Sequence, residues 1–148
     1  MKMRSNGRRA GRLYQAGVTL IELLIVVIII AVLAAIAVPI YQGYVGRTRR
    51  VAAEGCMMQV SNFMERYYTT NMSYVDPTTS AAPTLTLDCL LPAQTGADYT
   101  YSFTTATTAA YTFQAVPSTA QTTRDSAKCG TLTLTQAGAK TPTTAGCW

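Results

Sequence analysis

Glu22 is a carboxylate in apolar company. It lies inside residues 18–38, a stretch whose other strongly polar member is Thr19. A charge at mid-membrane costs about 2.5–3.5 kcal/mol on insertion scales, and less near the bilayer edge. Such a group must stay protonated or find a cation, and the sequence offers no basic side chain between Arg12 and Arg47. An intramembrane carboxylate marks a functional site by default. The second reactive set is four cysteines, Cys56, Cys89, Cys129 and Cys147, all beyond the apolar stretch. An even number in a small translocated domain points to two disulfides formed in an oxidising compartment. A cysteine-only metal site is the weaker alternative, because no CxxC pair occurs and the sequence has no histidine. No cofactor is implied. Catalysis is not expected, since the acids are few and scattered and no glycine loop for phosphate is present.

The element that must position Glu22 is the apolar stretch itself. As a helix, residues 18–38 would measure about 31 Å at 1.5 Å per residue, the thickness of a bilayer's hydrocarbon region. Charge is divided around it. Of 12 basic residues, Lys2, Arg4, Arg8, Arg9 and Arg12 fall in residues 1–17 with no acid beside them. Residues 18–148 hold the other seven bases and all seven acids, and sum to zero. The high isoelectric point therefore gives no support to a nucleic-acid partner. A basic flank ahead of an apolar run is the positive-inside signal and places the N-terminus in the cytoplasm. Arg47, Arg49 and Arg50 reduce the contrast from the far side, but five basic residues outweigh three.

Five segments follow: a polar basic leader, 1–17; the apolar half of a long helix, 18–38; an amphipathic half, 39–75; a Pro-, Thr- and Ala-rich connecting loop, 76–98; and a strand-forming region, 99–148. Val45, Cys56, Val60, Phe63, Met64 and Tyr67 recur at helical steps and mark the buried face of the second half. Pro39, Gly43 and Gly46 between the halves predict a kink or local melting. The helix should end near Asn71, with Asp76-Pro77 as a stop. Alternation predicts strands around Tyr99–Phe103, Tyr111–Ala115 and Thr131–Thr135, with aromatic side chains on the core side and threonines outside.

An ordinary signal peptide cut after Ala37 is the plain reading of the N-terminus, but its apolar core would be long and would gain nothing from Glu22. Gly17-Val18-Thr19-Leu20-Ile21-Glu22-Leu23 instead resembles the cleavage motif of type IV prepilins and the related type II secretion pseudopilins. In that family a membrane aspartic peptidase cuts after the glycine and N-methylates the new first residue. The resemblance implies that Gly17 precedes the cut, that Val18 becomes the methylated N-terminus, and that Glu22 is the fifth mature residue. It also puts Pro39 at the helix-kink position. Where the family usually has phenylalanine, this sequence has Val18. The cut would create an amine one helical turn from Glu22, and the family implies that Glu22 pairs with that amine on a neighbouring subunit and sets the filament's axial register. Pairing within one chain is the rival.

Arg124-Asp125, Cys129-Gly130-Thr131-Leu132-Thr133-Leu134-Thr135, Gly138 and Cys147-Trp148 are similar to the C-terminal region of PilE-type pilins, and Glu65-Arg66-Tyr67-Tyr68 extends the similarity. It implies an α+β pilin fold, a long N-terminal helix packed on a small antiparallel sheet, and favours a minor pilin. Of three possible disulfide pairings it favours Cys129–Cys147, closing the C-terminal loop, and Cys56–Cys89, tying helix to connecting loop. The implied function is that of a structural subunit of a type IV pilus, supporting pilus biogenesis, adhesion or twitching motility. Its partners would be other pilin subunits, the prepilin peptidase, the inner-membrane assembly machinery and the membrane, with no nucleic acid. It would be a single-pass inner-membrane protein before assembly and part of a surface pilus afterwards. The alternatives are a type II secretion pseudopilin and a membrane-anchored periplasmic binding or sensor domain. Lesser candidates are an aromatic binding strip in residues 99–113, headgroup contacts from Arg47-Thr48-Arg49-Arg50, the sequon Asn71-Met72-Ser73, and O-linked sugars on the threonines.

Overall fold

The computed structural model describes residues 17–125 and 127–148. The leader up to residue 16 lies outside the described residues. The chain divides into two units, one ending at Ile36 and one running from Ala37 to Trp148.

Helix α1 spans Leu20–Asn71, 52 residues. Thr19 starts it: its carbonyl accepts from the Leu23 N–H at 3.2 Å and its hydroxyl accepts from the Glu22 N–H at 3.3 Å. A threonine cap with glutamate three residues later is the capping-box pattern. In the first unit every side chain from Leu20 to Ile36 is exposed, and nearly all are Leu, Ile, Val or Ala. This part of α1 belongs to the one described helix long and apolar enough to cross a membrane, and none of its apolar window is buried. The helix runs unbroken through Pro39, so the local melting expected there does not occur. Proline deletes one backbone donor, and the bonds on either side hold the turn.

In the second unit α1 buries Gly46, Arg50, Ala53, Cys56, Met57, Val60 and Met64. Steps of three and four residues put them on one face. The sheet beneath is antiparallel, in the order β1 (Tyr99–Ala106), β2 (Tyr111–Pro117), β3 (Leu132–Thr135), β4 (Lys140–Thr141). Tyr99, Tyr111, Phe113, Ala115, Leu132 and Leu134 meet Ala53, Met57, Val60 and Met64 in a single core. The aromatic residues of 99–113 are thus largely core, with Tyr101 and Phe103 half-buried against it. The three expected strands are present. Strand β4, two residues long, and the short helix α2 (Thr119–Arg124) were not anticipated, because neither is long enough to show a period.

Helix α1 ends before Asp76-Pro77 is reached. Met72 takes a left-handed conformation (φ 53°) and its N–H bonds to the Tyr68 carbonyl at 2.7 Å, closing the helix as an αL cap. The sequon is built into this cap. The Asn71 side-chain amide donates to the Tyr67 carbonyl at 3.0 Å, and Ser73 is buried with its hydroxyl donating to the Val75 carbonyl at 2.8 Å. The connecting loop is not structureless: it holds a 3-10 turn at Asp88–Leu90 and a π-helical turn at Pro92–Gly96. One disulfide, Cys56–Cys89, fastens this loop to α1, and a second, Cys129–Cys147, closes the C-terminal segment around β3 and β4.

Two tyrosines tie polar groups into the core. Tyr74 donates to the Glu65 carboxylate at 3.0 Å and packs between Tyr68 and Tyr111. The Tyr99 hydroxyl accepts from Gln121 Nε2 at 3.2 Å. Burial pushes both phenols up to about 12, and for Tyr74 the Glu65 carboxylate adds to the shift. Both pKa values rise on folding, so between pH 10 and pH 12 the unfolded chain releases protons that the folded chain keeps. Their stabilisation is complete below about pH 10 and disappears as pH rises toward 12. Urea midpoints should therefore fall between about pH 9.5 and pH 11.5, and fall less in Tyr74→Phe and Tyr99→Phe. Identical pH profiles in wild type and both variants would show that other groups drive alkaline unfolding.

Candidate functional site

The residues singled out by sequence do not converge on one cleft. Gly17, Val18 and Glu22 lie together at the start of α1, Pro39 lies within it, and the cysteines form two tethers in the second unit. Gly17 has open space around it: a side chain added there would meet nothing within 4 Å. Val18 is 70% exposed. Glu22 is exposed, its N–H held by the Thr19 hydroxyl, and among the described residues its carboxylate has no cationic partner. The first turn of a helix carries a partial positive charge, so an acid there is favourable on its own account. The arrangement presents an accessible peptide at Gly17–Val18 and, one turn on, an unneutralised carboxylate flanked by apolar side chains.

A second polar constellation lies in the second unit, and sequence reasoning missed it. Arg50, read together with Arg47-Thr48-Arg49 as a headgroup contact, is 2% exposed. Its guanidinium donates to the Asp125 carboxylate through Nη1 and to the Gly146 carbonyl through Nη2 at 2.7 Å. Its Nε lies 3.5 Å from Glu54, whose carboxyl burial pushes above the usual range against the pull of Arg50. Gln121, fully buried, donates to the Gly46 carbonyl at 2.7 Å as well as to Tyr99. Gly46 permits the approach. A Cβ there would stand 2.6 Å from the Arg124 carbonyl carbon and 2.7 Å from the Asp125 nitrogen, where no real side chain fits. Gly46 is therefore a packing site for the end of α2, not the helix interruption expected of it. The signal was present in spacing: positions 46, 50, 53, 57, 60 and 64 step by four and three, and an arginine in that series belongs to the buried face. Arg49 points elsewhere, to Asp98 at 3.3 Å, an acid it shares with Arg124 at 3.7 Å.

Comparison with known proteins places this architecture. The family described as "Type IV minor pilin ComP, DNA uptake sequence receptor" matches residues 39–133, and the prokaryotic N-terminal methylation motif matches residues 12–38. The chain belongs to the type IV minor pilin family. It is a structural subunit of a type IV pilus, with an apolar N-terminal helix ahead of a disulfide-bonded α+β domain. Among solved structures, the pilin is similar to a type IV pilin from Shewanella oneidensis at 29% identity and TM-score 0.49, over 70% of this chain and 97% of that one. It is also similar to the non-core minor pilin PilV of Neisseria meningitidis, at 20% identity and TM-score 0.45, over 71% and 95% of the two chains. No curated protein matches its sequence.

Removing one partner of a buried ion pair strands the other charge and costs about 3–5 kcal/mol, whereas an exposed pair contributes about 0–1 kcal/mol. Arg50→Met should therefore lower the pilin's unfolding free energy by about 3 kcal/mol or more, and Arg49→Met by less than about 1 kcal/mol, by equilibrium denaturation. Equal effects would mean that the Arg50 cluster is no clamp.

Proposed function

We propose that this minor pilin is processed between Gly17 and Val18, carries an N-methyl group on Val18, and uses Glu22 as the group that sets register against its neighbours. In this reading residues 1–17 are the leader and 18–38 the half of α1 that lies first in the inner membrane and later in the filament core. Residues 39–71 continue the helix as its amphipathic half, 72–75 close it, 76–98 connect, and 99–148 form the sheet and disulfide-closed region. The N-terminus is cytoplasmic before assembly, and the partners are the prepilin peptidase, the assembly machinery and other pilin subunits. The observation that carries the reading is the carboxylate of Glu22, exposed in the first turn of an apolar helix with no cationic partner among the described residues. A cut after Gly17 supplies that cation one turn away. The match of the N-terminal methylation motif to residues 12–38 supports the same cut.

The cap at Thr19 gives Glu22 a rival, purely local role, and two substitutions separate them. Glu22→Gln keeps a capping-box side chain but has no charge, and Glu22→Asp keeps the charge. Mass spectrometry of the mature protein should find N-methyl-Val18 at the N-terminus. Sheared surface filaments should retain the Asp variant and lose the Gln variant. Normal incorporation of Glu22→Gln would reduce Glu22 to a helix cap. An intact Met1, or a start at Val38, would replace the whole reading with an anchored domain or a signal peptide.

The matched family's description favours a second reading, in which the pilin captures DNA. Charge is its constraint. Arg49 and Arg124 answer Asp98 and Arg50 is buried, so among the described residues Arg47, Arg66, Lys128 and Lys140 are the bases without an acid within 4.0 Å. If all four reached phosphates, the logarithm of affinity would fall with the logarithm of salt at a slope near −3.6. A duplex titration across salt concentrations measures that slope, and a flat response with no saturation removes the reading.

A further inference from the structure

The basic stretch that follows the apolar run is left over by the pilin reading, because arginines beyond the span oppose the charge bias that orients it. The structure sorts these residues. Arg50 turns inward, while Arg47 is exposed and Arg49 keeps 47% of its side chain in solvent. Arg124, 43% exposed, comes from the end of α2 to the same acid as Arg49. Two guanidiniums, those of Arg49 and Arg124, therefore share one carboxylate, Asp98, whose side chain is 11% exposed, and Arg47 adds a third cation beside them. Beside them Tyr41 and Tyr44 are 68% and 69% exposed. A groove of about 710 Å³ runs between α1 and α2, with an apolar floor at Ala37, Val38, Tyr41 and Val45 and with Arg49 and Arg124 on its wall.

We propose that Tyr41, Tyr44, Arg47, Arg49 and Arg124 form a docking surface for phospholipid headgroups, which holds the second unit against the outer face of the membrane until the subunit is assembled. The inference rests on the membrane-anchored reading above. Position argues for it. At 1.5 Å per residue along the unbroken helix, Tyr41 to Arg47 begin about 5 Å and end about 14 Å past the apolar run. The headgroup layer is about 5–8 Å thick on each side. Tyrosine is enriched at that depth, and arginine stems reach several ångströms back toward it. Charge argues for it too. Arg47, Arg49 and Arg124 against the single acid Asp98 leave this surface cationic, while the other charges of residues 37–148 are four basic and five acidic, and lipid phosphate is an anion of the matching sign. An acyl chain suits the apolar floor of the groove, and a phosphate suits its arginine wall.

Hydrogen–deuterium exchange of the full mature pilin tests this in three settings: phosphatidylcholine nanodiscs, nanodiscs enriched in phosphatidylglycerol, and detergent micelles. Amides of residues 119–125 should exchange at least about fivefold more slowly in the anionic nanodiscs than in micelles, the effect of one arginine at an anionic surface. Amides of β3 should be the same in all three. Arg47→Gln combined with Arg124→Gln should abolish the slowing while leaving the melting temperature unchanged. Equal exchange of residues 119–125 in all three settings overturns the proposal. So does slowing that appears only when subunits polymerise, which would give the groove to a neighbouring pilin. A pilin that nanodiscs fail to retain overturns the anchored reading itself, and this proposal with it.

Discussion

The apolar surface of α1 is the constraint on which the rest depends. One helix of 52 residues carries apolar side chains almost from end to end, and the chain can cover only part of them. From Ala53 to Met64 one face is closed by the sheet, and Gly46 and Arg50 are covered by the end of α2 and the C-terminal loop. From Leu20 to Ile36 the side chains are exposed among the described residues. Burying a large aliphatic side chain is worth about 1.5–3 kcal/mol. An isolated helix with this many left in water would not stay monomeric, and it needs lipid or other helices around it. The globular domain is consequently small. It holds the second part of the helix in a fixed pose through a single core.

How it holds that pose is unusual for a minimal core, because polar groups occupy the end of the interface nearest the apolar run. Arg50, Asp125, Glu54 and Gln121 stand where further aliphatic contacts would be the simpler choice. Buried ion pairs are weak contributors to net stability, since desolvation offsets much of the attraction. What they supply here is position. The guanidinium fork reaches Asp125 and the Gly146 carbonyl together, so the end of α2 and the C-terminal loop are both registered on a single turn of α1. Gly46 lets the backbone at Arg124 and Asp125 reach that turn, and the disulfides restrict the two segments that would otherwise swing away. Engaged loops of 33 and 18 residues in sequence separation each contribute about 3–4 kcal/mol on the chain-entropy model, an effect on the unfolded state more than on the folded one.

Periodicity carried most of the fold. The amphipathic part of α1 to Asn71 and the three alternating strands could be read from residue spacing, because each repeats its pattern over several turns or pairs, and the helix before them from its continuous apolar run. Elements too short to repeat, β4 and α2, left no such trace. The helix C-terminus was placed correctly, but the device that ends it, a left-handed Met72, is not a residue type that advertises the conformation. Composition misled at two points. Gly46 beside Pro39 looked like helix weakness, yet it serves a close backbone approach. Arg50 beside Arg47 and Arg49 looked like one charged stretch, yet neighbours on a helix point about 100° apart, and one of the three faces the core. Reading charge by position on the helix, rather than as a run, would have separated them. At the first turn, Glu22 was conspicuous because a carboxylate in an apolar stretch is anomalous without a function, and Gly17 was singled out through the resemblance to a prepilin cleavage motif. The Thr19 cap that gives Glu22 a second, local role was not anticipated.

The register role proposed for Glu22 is compatible with its local one at the Thr19 cap, and their difference in energy is instructive. A cap or a helix-dipole interaction is worth roughly 1 kcal/mol, and the helix keeps it wherever it goes. It does not change when the helix leaves lipid for a filament, so it cannot drive that transfer. The apolar side chains behave alike. Lipid tails and neighbouring Leu, Ile and Val are similar company, and little hydrophobic free energy separates the two states. What does change is the setting of the few polar atoms. An unpaired carboxylate in a low-dielectric medium is costly, and a cation at hydrogen-bonding distance relieves that cost. A sequence that is otherwise indifferent between membrane and filament can thus be biased by a single titratable group. Glu22 is the only acid in the apolar stretch. In the function proposed for it, the balance between the two apolar environments therefore rests on this one group.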